Sequence, residues 1–117
     1  MSRNVFVSYA ARDRQWLQLA LDYLRKRQLI SAEDNIFVDH QSFSAGENFR
    51  EATRAAISAA DTVLVLWSPA AAESKWVNYE LAMADALGKH VLVAASRGHR
   101  ALPIDSRSVE LVEVPVG

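Results

Sequence analysis

The sequence TVLVLWSP, residues 62–69, decides the fold prediction for this chain. Its first six residues, Thr62–Trp67, are apolar or β-branched throughout, which predicts a strand buried on both faces of a parallel sheet. The stretch SKWVNYE, residues 74–80, predicts a helix on which Trp76 and Glu80 share one face, because they lie four positions apart. A carboxylate on a helix that follows such a strand lies near the carboxyl end of the sheet, where open α/β folds bind ligands.

The same alternation of apolar strand and amphipathic helix runs through the rest of the chain. It predicts a flavodoxin-like three-layer sandwich around a central five-stranded parallel sheet. The predicted strands are Val5–Tyr9, Asn35–Asp39, Thr62–Trp67, His90–Ala95 and Val109–Val114. The predicted helices begin at Asp13 as N-cap, after Gly46, and at about Glu73, and the third ends at Leu87 before a left-handed Gly88. The apolar stripe of this third helix comprises Val77, Leu81, Ala84 and Leu87, with Glu80 beside it.

The composition is that of one globular domain, residues 1–117, with a net charge of -1. A charge so close to zero offers no basic field to nucleic acid. The chain has no cysteine, and its three histidines lack a second ligand at metal spacing, so we expect neither a disulfide nor a metal site. No signal peptide or membrane-length apolar run is present, which predicts a soluble cytoplasmic protein. A last helix, usual after a fifth strand, is missing, as expected for an excised or terminal domain of a longer protein.

Three features are candidates for a functional site at the carboxyl edge of the sheet. Glu80 beside Trp76 would be a poorly solvated carboxylate near an aromatic surface, the alternative being an ordinary helix-surface glutamate. After the first strand, Ser8 offers a hydrogen bond and Arg12 a cation for a phosphate, the alternative being a strand end with a solvated arginine. The long loop Asp39–Phe49 suits a lid or a partner contact as well as it suits a simple connection.

Several enzyme classes lack their signatures in this sequence. The loop contains a single glycine, Gly46, and matches neither a Walker loop nor a dinucleotide-binding fingerprint. Ser68 does not lie in a nucleophile-elbow context, which argues against a Ser-His-Asp hydrolase. A response-regulator receiver domain needs paired acids after the first strand, where this chain has Ser8-Tyr9-Ala10.

Taken together in order, these segments resemble the TIR (Toll/interleukin-1 receptor) domain family over nearly the whole chain. The first strand with Asp13 resembles the family's first box, and Leu102-Pro103 resembles the segment before its last strand. The second region of the family, its BB loop and following helix, is matched by Phe37-Val38-Asp39, Gly46, Phe49, Ile57 and Ala60. The strand and helix that carry the family's catalytic glutamate are matched by Val63–Leu66, Ser68, Ser74-Lys75-Trp76 and Glu80-Leu81.

Two departures from the family pattern indicate which members this chain resembles. Residues 42–46 (SFSAG) replace the usual Arg-Asp-Pro-Gly element of the BB loop, and the Phe-Trp box of Toll-type receptors is missing. Both point away from animal adaptors and towards the bacterial, plant and neuronal TIR domains that cleave NAD+. The resemblance therefore implies an NAD+ nucleosidase with NAD+ as substrate and no cofactor, producing nicotinamide and ADP-ribose or a cyclised form.

The resemblance also assigns roles to residues. Glu80 falls on the catalytic position and would bind and stabilise the ribose, while Trp76 would shape the pocket or stack in it. The loop from Phe43 to Phe49 would form a mobile lid. The opposite wall of the pocket would consist of Phe6, Ser8, Tyr9 and Arg12.

The resemblance further implies that the domain works by self-association, as a dimer or filament in which a neighbour's BB loop completes the pocket. A fused or separate sensor would control that assembly, and neither nucleic acid nor membrane would be contacted directly. Bacterial relatives suggest antiviral defence by NAD+ depletion as part of innate immune signalling. Two alternatives remain open: a non-catalytic TIR–TIR scaffold or host-signalling effector, and an enzyme of the nucleoside deoxyribosyltransferase type.

Overall fold

The computed structural model describes residues 3–38, 47–104 and 109–115, with the backbone alone for residues 47–50. Strands and helices alternate along these residues as far as the fourth strand, except that the third and fourth helices follow each other directly, and the fifth strand is the next described element after the fourth. The strands are β1 (Asn4–Ser8), β2 (Asn35–Val38), β3 (Thr62–Trp67), β4 (His90–Ala95) and β5 (Val109–Glu113), and the helices are α1 (Arg14–Lys26), α2 (Glu47–Ala59), α3 (Pro69–Glu73) and α4 (Lys75–Ala86).

Within the described residues, the five strands form one parallel sheet in the order β2-β1-β3-β4-β5. The central strand β3 pairs with β1 from Thr62 to Val65 and with β4 along its whole length. All six of its residues are buried, as the uninterrupted apolar sequence requires. The predicted flavodoxin-like order and the five-stranded parallel sheet are therefore confirmed. Asp39, the last residue of the predicted second strand, lies outside the described residues.

The sheet separates two hydrophobic cores, one on each face. Alternate residues of β1 and β3, such as Phe6 and Val63, face the core built with α2, α3 and α4. The intervening residues, such as Val7 and Leu64, face the core built with α1. This alternation follows from the two-residue period of a strand, and it decides on which face each residue at the carboxyl edge lies.

The third helix predicted from about Glu73 to Leu87 is confirmed as α4 (Lys75–Ala86), whereas the short helix α3 directly before it is not predicted. Helix α3 ends at Glu73, and Ser74 leaves the helical conformation with φ -81° and ψ 116°. The Ser74 side chain then accepts a hydrogen bond from the backbone N–H of Val77 at 3.2 Å and so caps the start of α4. The predicted left-handed end at Gly88 is confirmed, with φ 68°.

Asp13 occupies the position before α1, as predicted, but its side chain makes no capping hydrogen bond to the helix. It lies buried and bonds instead to Ser68, at the end of β3. At the other end of α1, Gln28 adopts the left-handed conformation with φ 60°, which is uncommon for a residue with a Cβ. Among the described residues, none of the helices combines the length and the apolar character that crossing a membrane requires.

Candidate active site

The carboxylate of Glu80 is buried inside the protein. Helix α4 packs one face against the sheet through Val77, Leu81 and Ala84, and Glu80 belongs to that buried face. Its exposed fraction is 0%. A charged group without hydration is unfavourable unless polar partners surround it, so this position needs hydrogen bonds from the neighbouring strands.

Ser8 supplies one such hydrogen bond from the last position of β1. Its Oγ donates to Oε1 of Glu80 at 2.6 Å, and the Ser8 side chain is itself fully buried. Ser8 faces α4 because it lies two positions after Phe6, on the same side of the strand. The sheet therefore brings together, at its carboxyl edge, two residues that the family resemblance assigns to one site.

An aromatic pair on α4 precedes the carboxylate, Trp76 by about one helical turn and Tyr79 by one residue. The rings of Trp76 and Tyr79 stack with their centroids 5.2 Å apart, and both side chains are half-buried. Trp76 lies four positions before Glu80, in agreement with the helical spacing. Tyr79 is not among the residues that the sequence nominates, although its place three positions after Trp76 puts it within reach of a helical ring contact.

A second buried pair of a hydroxyl and a carboxylate lies at the same edge of the sheet. The Ser68 Oγ, directly after β3, donates a short hydrogen bond to Oδ2 of Asp13, which follows β1. Both residues are buried, and the same Ser68 oxygen accepts from the backbone N–H of Ala71 at 3.0 Å, capping α3. Sequence reasoning misses this pair because it interprets Asp13 as a helix cap. The signal that could have found it is the position of both residues after neighbouring strands.

The junction between α3 and α4 carries one further polar residue, Asn78. Its side-chain Nδ2 lies 2.8 Å from the carbonyl oxygen of Ser74, 3.1 Å from that of Ala72 and 3.4 Å from that of Ala71. Asn78 therefore links the first turns of α4 to the end of α3. Sequence reasoning does not find this role, because it depends on how α3 ends beside the start of α4.

The other candidate substrate-binding residues occupy different environments. Phe6 is 1% exposed and stacks on Phe37, with ring centroids 5.5 Å apart. Tyr9 is buried on the opposite face of the sheet, in the core built with α1. Arg12 is exposed, in a short 3₁₀ turn between β1 and α1. The role of all three in binding substrate stays a prediction.

Three residues of the predicted lid, Phe43, Gly46 and Phe49, have no described side chain. Phe43 and Gly46 lie outside the described residues. Phe49 lies in the described backbone of α2, but its side chain is outside the description. The lid function of this loop therefore also stays a prediction.

A cleft of about 440 Å³ lies at the other end of the sheet from the Ser8–Glu80 pair. Its described lining comes from among the first three residues of β1 and of β2 and from the end of α2, and it includes Phe37 and the predicted substrate-binding residue Phe6. No ionisable side chain is among these lining residues, so they offer no acid, base or nucleophile. In the described part of the chain, no three His, Cys, Asp or Glu side chains lie together as metal ligands would.

Comparison with known proteins gives one match to a family model. The model described as TIR domain matches residues 5–112 of this chain. No curated protein matches the chain in sequence.

Three solved structures illustrate the likeness in fold. The CMP N-glycosidase BcmB of Clostridium botulinum is 14% identical, with a TM-score of 0.62, covering 96% of this chain and 89% of that one. The TIR domain of the Toll-related receptor TRR-2 from Hydra magnipapillata is 20% identical, with a TM-score of 0.56, covering 89% and 76%. The TIR domains of the activated Roq1 resistosome are 16% identical, with a TM-score of 0.54, covering 97% of this chain and 60% of that one. At these low sequence identities, the structural similarity shows that the fold is shared and nothing more.

Proposed function

This chain belongs to the TIR domain family, and on that premise we propose that it cleaves the bond between nicotinamide and ribose in NAD+. The observation that carries the proposal is the Glu80 carboxylate, buried at the carboxyl edge of the sheet and bonded to the Ser8 hydroxyl at 2.6 Å. A buried carboxylate at the ligand-binding edge of an α/β sheet is a candidate for chemistry with a stated physical reason. The products would be nicotinamide and ADP-ribose or a cyclised form.

One carboxylate is enough for this reaction because of the leaving group. Ordinary glycoside hydrolysis uses two carboxyl groups, one of which protonates the departing oxygen. Nicotinamide in NAD+ is already a cationic pyridinium and departs as a neutral molecule, so no general acid is needed. Glu80 would bind the ribose hydroxyls and stabilise the oxocarbenium-like positive charge that develops as the bond breaks. The bond's electron pair leaves with nicotinamide, and water adds to the ribose carbon and loses a proton to give ADP-ribose, or a nitrogen of the adenine adds there to give the cyclised form.

Ser8 would hold Glu80 in the orientation that this role requires. A fixed hydrogen-bond donor removes rotational freedom from the carboxylate, so that less reorganisation is needed in the transition state. The stacked Trp76 and Tyr79 rings on α4 offer flat apolar surface for the nicotinamide or the ribose. The exposed Arg12 would meet the phosphates, as its place after β1 suggests.

The proposal includes self-association, in which the loop from Phe43 to Phe49 of a second copy closes the pocket. Support comes from family membership and from the likeness to the TIR domains of the Roq1 resistosome, which were solved in an assembled, activated state. Within this proposal the domain acts in the cytoplasm in immune signalling or NAD+ depletion, under a fused or separate sensor.

The experiment is a nicotinamide-release assay over a range of protein concentrations, with the assembly state followed by light scattering in the same samples. We expect specific activity to rise as oligomers form. An assembled protein that releases no nicotinamide from NAD+ would contradict the enzymatic proposal and leave the TIR–TIR scaffold as the better account.

A second candidate is cleavage of the N-glycosidic bond of a nucleotide or deoxyribonucleoside. The observation in its favour is the likeness over 96% of this chain to a protein named as a CMP N-glycosidase. A panel of NAD+, CMP and deoxyribonucleosides, assayed for the free base, separates the two candidates. Release of cytosine from CMP at a higher kcat/KM than release of nicotinamide would favour the second.

A further inference from the structure

The side chain of Asn78 lies where the end of one helix meets the start of the next. Its amide nitrogen faces three backbone carbonyl oxygens, those of Ser74, Ala72 and Ala71, at 2.8, 3.1 and 3.4 Å. Because all three neighbours are acceptors, the nitrogen and not the oxygen of the amide must face them. The two N–H groups of Asn78 are therefore directed at the carbonyl oxygens of Ser74 and Ala72, with that of Ala71 more distant.

These carbonyls need donors from outside because helix α3 ends there. The last carbonyls of a helix have no intrahelical donor, and α3 is only five residues long. The Ser74 backbone N–H donates to the carbonyl of Ala71 at 3.0 Å. The side chain of Asn78 donates to that of Ala72 from the first turn of α4, and so it fixes one helix against the other.

The contacts of Asn78 affect the position of Glu80, because Glu80 lies two residues later on the same helix. The start of α4 is fixed by Ser74, which caps it, and by Asn78, which ties it to α3. Helix α3 is itself anchored by Ser68, whose hydroxyl bonds to the buried Asp13. The first turn of α4 thus has a defined position relative to β1, and the 2.6 Å contact between Ser8 and Glu80 depends on that position.

We propose that Asn78 is a positioning residue for the Glu80 carboxylate, acting through the junction of α3 and α4. The role as a catalytic helper rests on the proposed function, whereas the effect on the geometry of Glu80 does not. Without the amide donor, the first turn of α4 would separate from α3, and the carboxylate would lose its alignment with Ser8.

The kinetic test uses two substitutions at this position. Asn78→Asp keeps the volume but places an acceptor oxygen against three carbonyls, and Asn78→Ala removes the donor without adding repulsion. We expect kcat for nicotinamide release to fall by about 100-fold in Asn78→Asp, with KM changed by no more than about threefold, because a misplacement of about 1 Å costs that much. The kcat of Asn78→Ala should also be lower than that of wild type.

The matched control is Gly88→Ala, at the far end of the same helix. The added Cβ there has no atom within 4 Å, so the substitution lowers stability through the backbone alone. If Asn78 merely stabilises the fold, the control and the Asn78 variants should lose the same activity for the same loss of Tm. A loss of kcat confined to the Asn78 variants supports positioning, and equal losses would overturn it.

The second readout does not need turnover. Carbon-13 NMR of protein labelled at the glutamate side-chain carboxyls, with Glu80→Gln used for assignment, reports the environment of this carboxylate. We expect a shifted Glu80 resonance in both Asn78 variants and an unchanged one in Gly88→Ala. An unchanged resonance in the Asn78 variants would overturn the inference, even with kcat reduced. If wild-type protein releases no nicotinamide, the proposed function fails while this measurement still decides the positioning role.

Discussion

Ser8 and Glu80 are 72 residues apart in the chain, yet the hydroxyl of one bonds to the buried carboxylate of the other at 2.6 Å. Two features of the fold create this contact. Strand β1 ends beside β3 at the carboxyl edge of the sheet, and α4 packs its Val77–Leu81–Ala84 face across that edge. A buried carboxylate in this position must be held by polar neighbours, and Ser8 is one of them.

Replacing Ser8 by alanine should lower both stability and activity. The hydrogen bond involves a carboxylate, for which about 1.5–3 kcal/mol of unfolding free energy is typical. We expect a loss in this range in urea unfolding, together with a fall in kcat for nicotinamide release. Ser58→Ala, at an exposed position of α2, is the matched control and should change stability by less than about 0.5 kcal/mol. Equal effects of the two substitutions would contradict the assigned role of Ser8.

Asp13 and Ser68 should be coupled in a double-mutant cycle. Asp13→Ala, Ser68→Ala and the double variant are compared by urea unfolding, and the cycle separates the pair from the cap that Ser68 also gives to α3. Because both partners are buried, we expect an interaction energy of about 1–3 kcal/mol. Additivity within about 0.5 kcal/mol would mean that the two side chains do not act together.

Asp34 should make stability depend on pH in the acid range. Burial raises the pKa of this carboxyl, but hydrogen bonds from the backbone N–H groups of Ser31 and Arg3, with the Arg3 guanidinium, outweigh it, so the net pKa lies below the usual 3.8. Because its pKa is lowered in the folded state, ionised Asp34 stabilises the fold at pH values above 3.8. This contribution to the free energy of unfolding is lost as the pH falls through the folded-state pKa.

The measurement for Asp34 is urea unfolding of wild type and Asp34→Asn at several pH values. Wild type should be more stable than Asp34→Asn at pH 6, and the difference in unfolding free energy should decrease as the pH drops below about 4. A gap that stays constant across this range would contradict the assignment. Nicotinamide release should be the same in both proteins at pH 7, because Asp34 lies between α1 and β2, away from Glu80.

The two left-handed helix ends should respond in opposite ways to substitution. Gly88 has φ 68° and open space where a methyl group would point, so Gly88→Ala should cost about 1–2 kcal/mol from backbone conformation alone. Gln28 has φ 60° with a side chain present, so Gln28→Gly should leave stability unchanged or raise it by up to about 1 kcal/mol. Thermal unfolding of Gly88→Ala and Gln28→Gly measures the sign of each stability change. A lower stability of Gln28→Gly than of wild type would contradict the backbone argument.

The sheet can be predicted from sequence because its signal is local. After their first residues, Thr62 and His90, the strands Thr62–Trp67 and His90–Ala95 are apolar, and both have the predicted bounds in the structure. The short helix α3 cannot be predicted from apolar spacing, because its five residues are too few to show a helical period. It is separate from α4 because Ser74 leaves the helical conformation and caps the next helix.

The site is predictable only in part, for a related reason. The sequence places Glu80 beside the apolar stripe of its helix, but its complete burial depends on how α4 packs against β1. The contacts of Asp13 with Ser68 and of Ser8 with Glu80 join distant parts of the chain, and no local pattern encodes them. Family resemblance puts Ser8 and Glu80 in one site, whereas the hydrogen bond between them requires the strand order and register.

The most direct test of the central claim is nicotinamide release by Glu80→Gln, compared with Glu33→Gln as a matched control. Glutamine keeps the size of the side chain and an oxygen that can accept from Ser8, so folding and assembly should be retained while the negative charge is lost. Glu33 is exposed between α1 and β2, at the other edge of the sheet. With assembly verified in each sample, we predict that Glu33→Gln matches wild type and that Glu80→Gln loses at least about 100-fold in kcat. Glu80→Gln releasing nicotinamide at the wild-type rate would contradict the account.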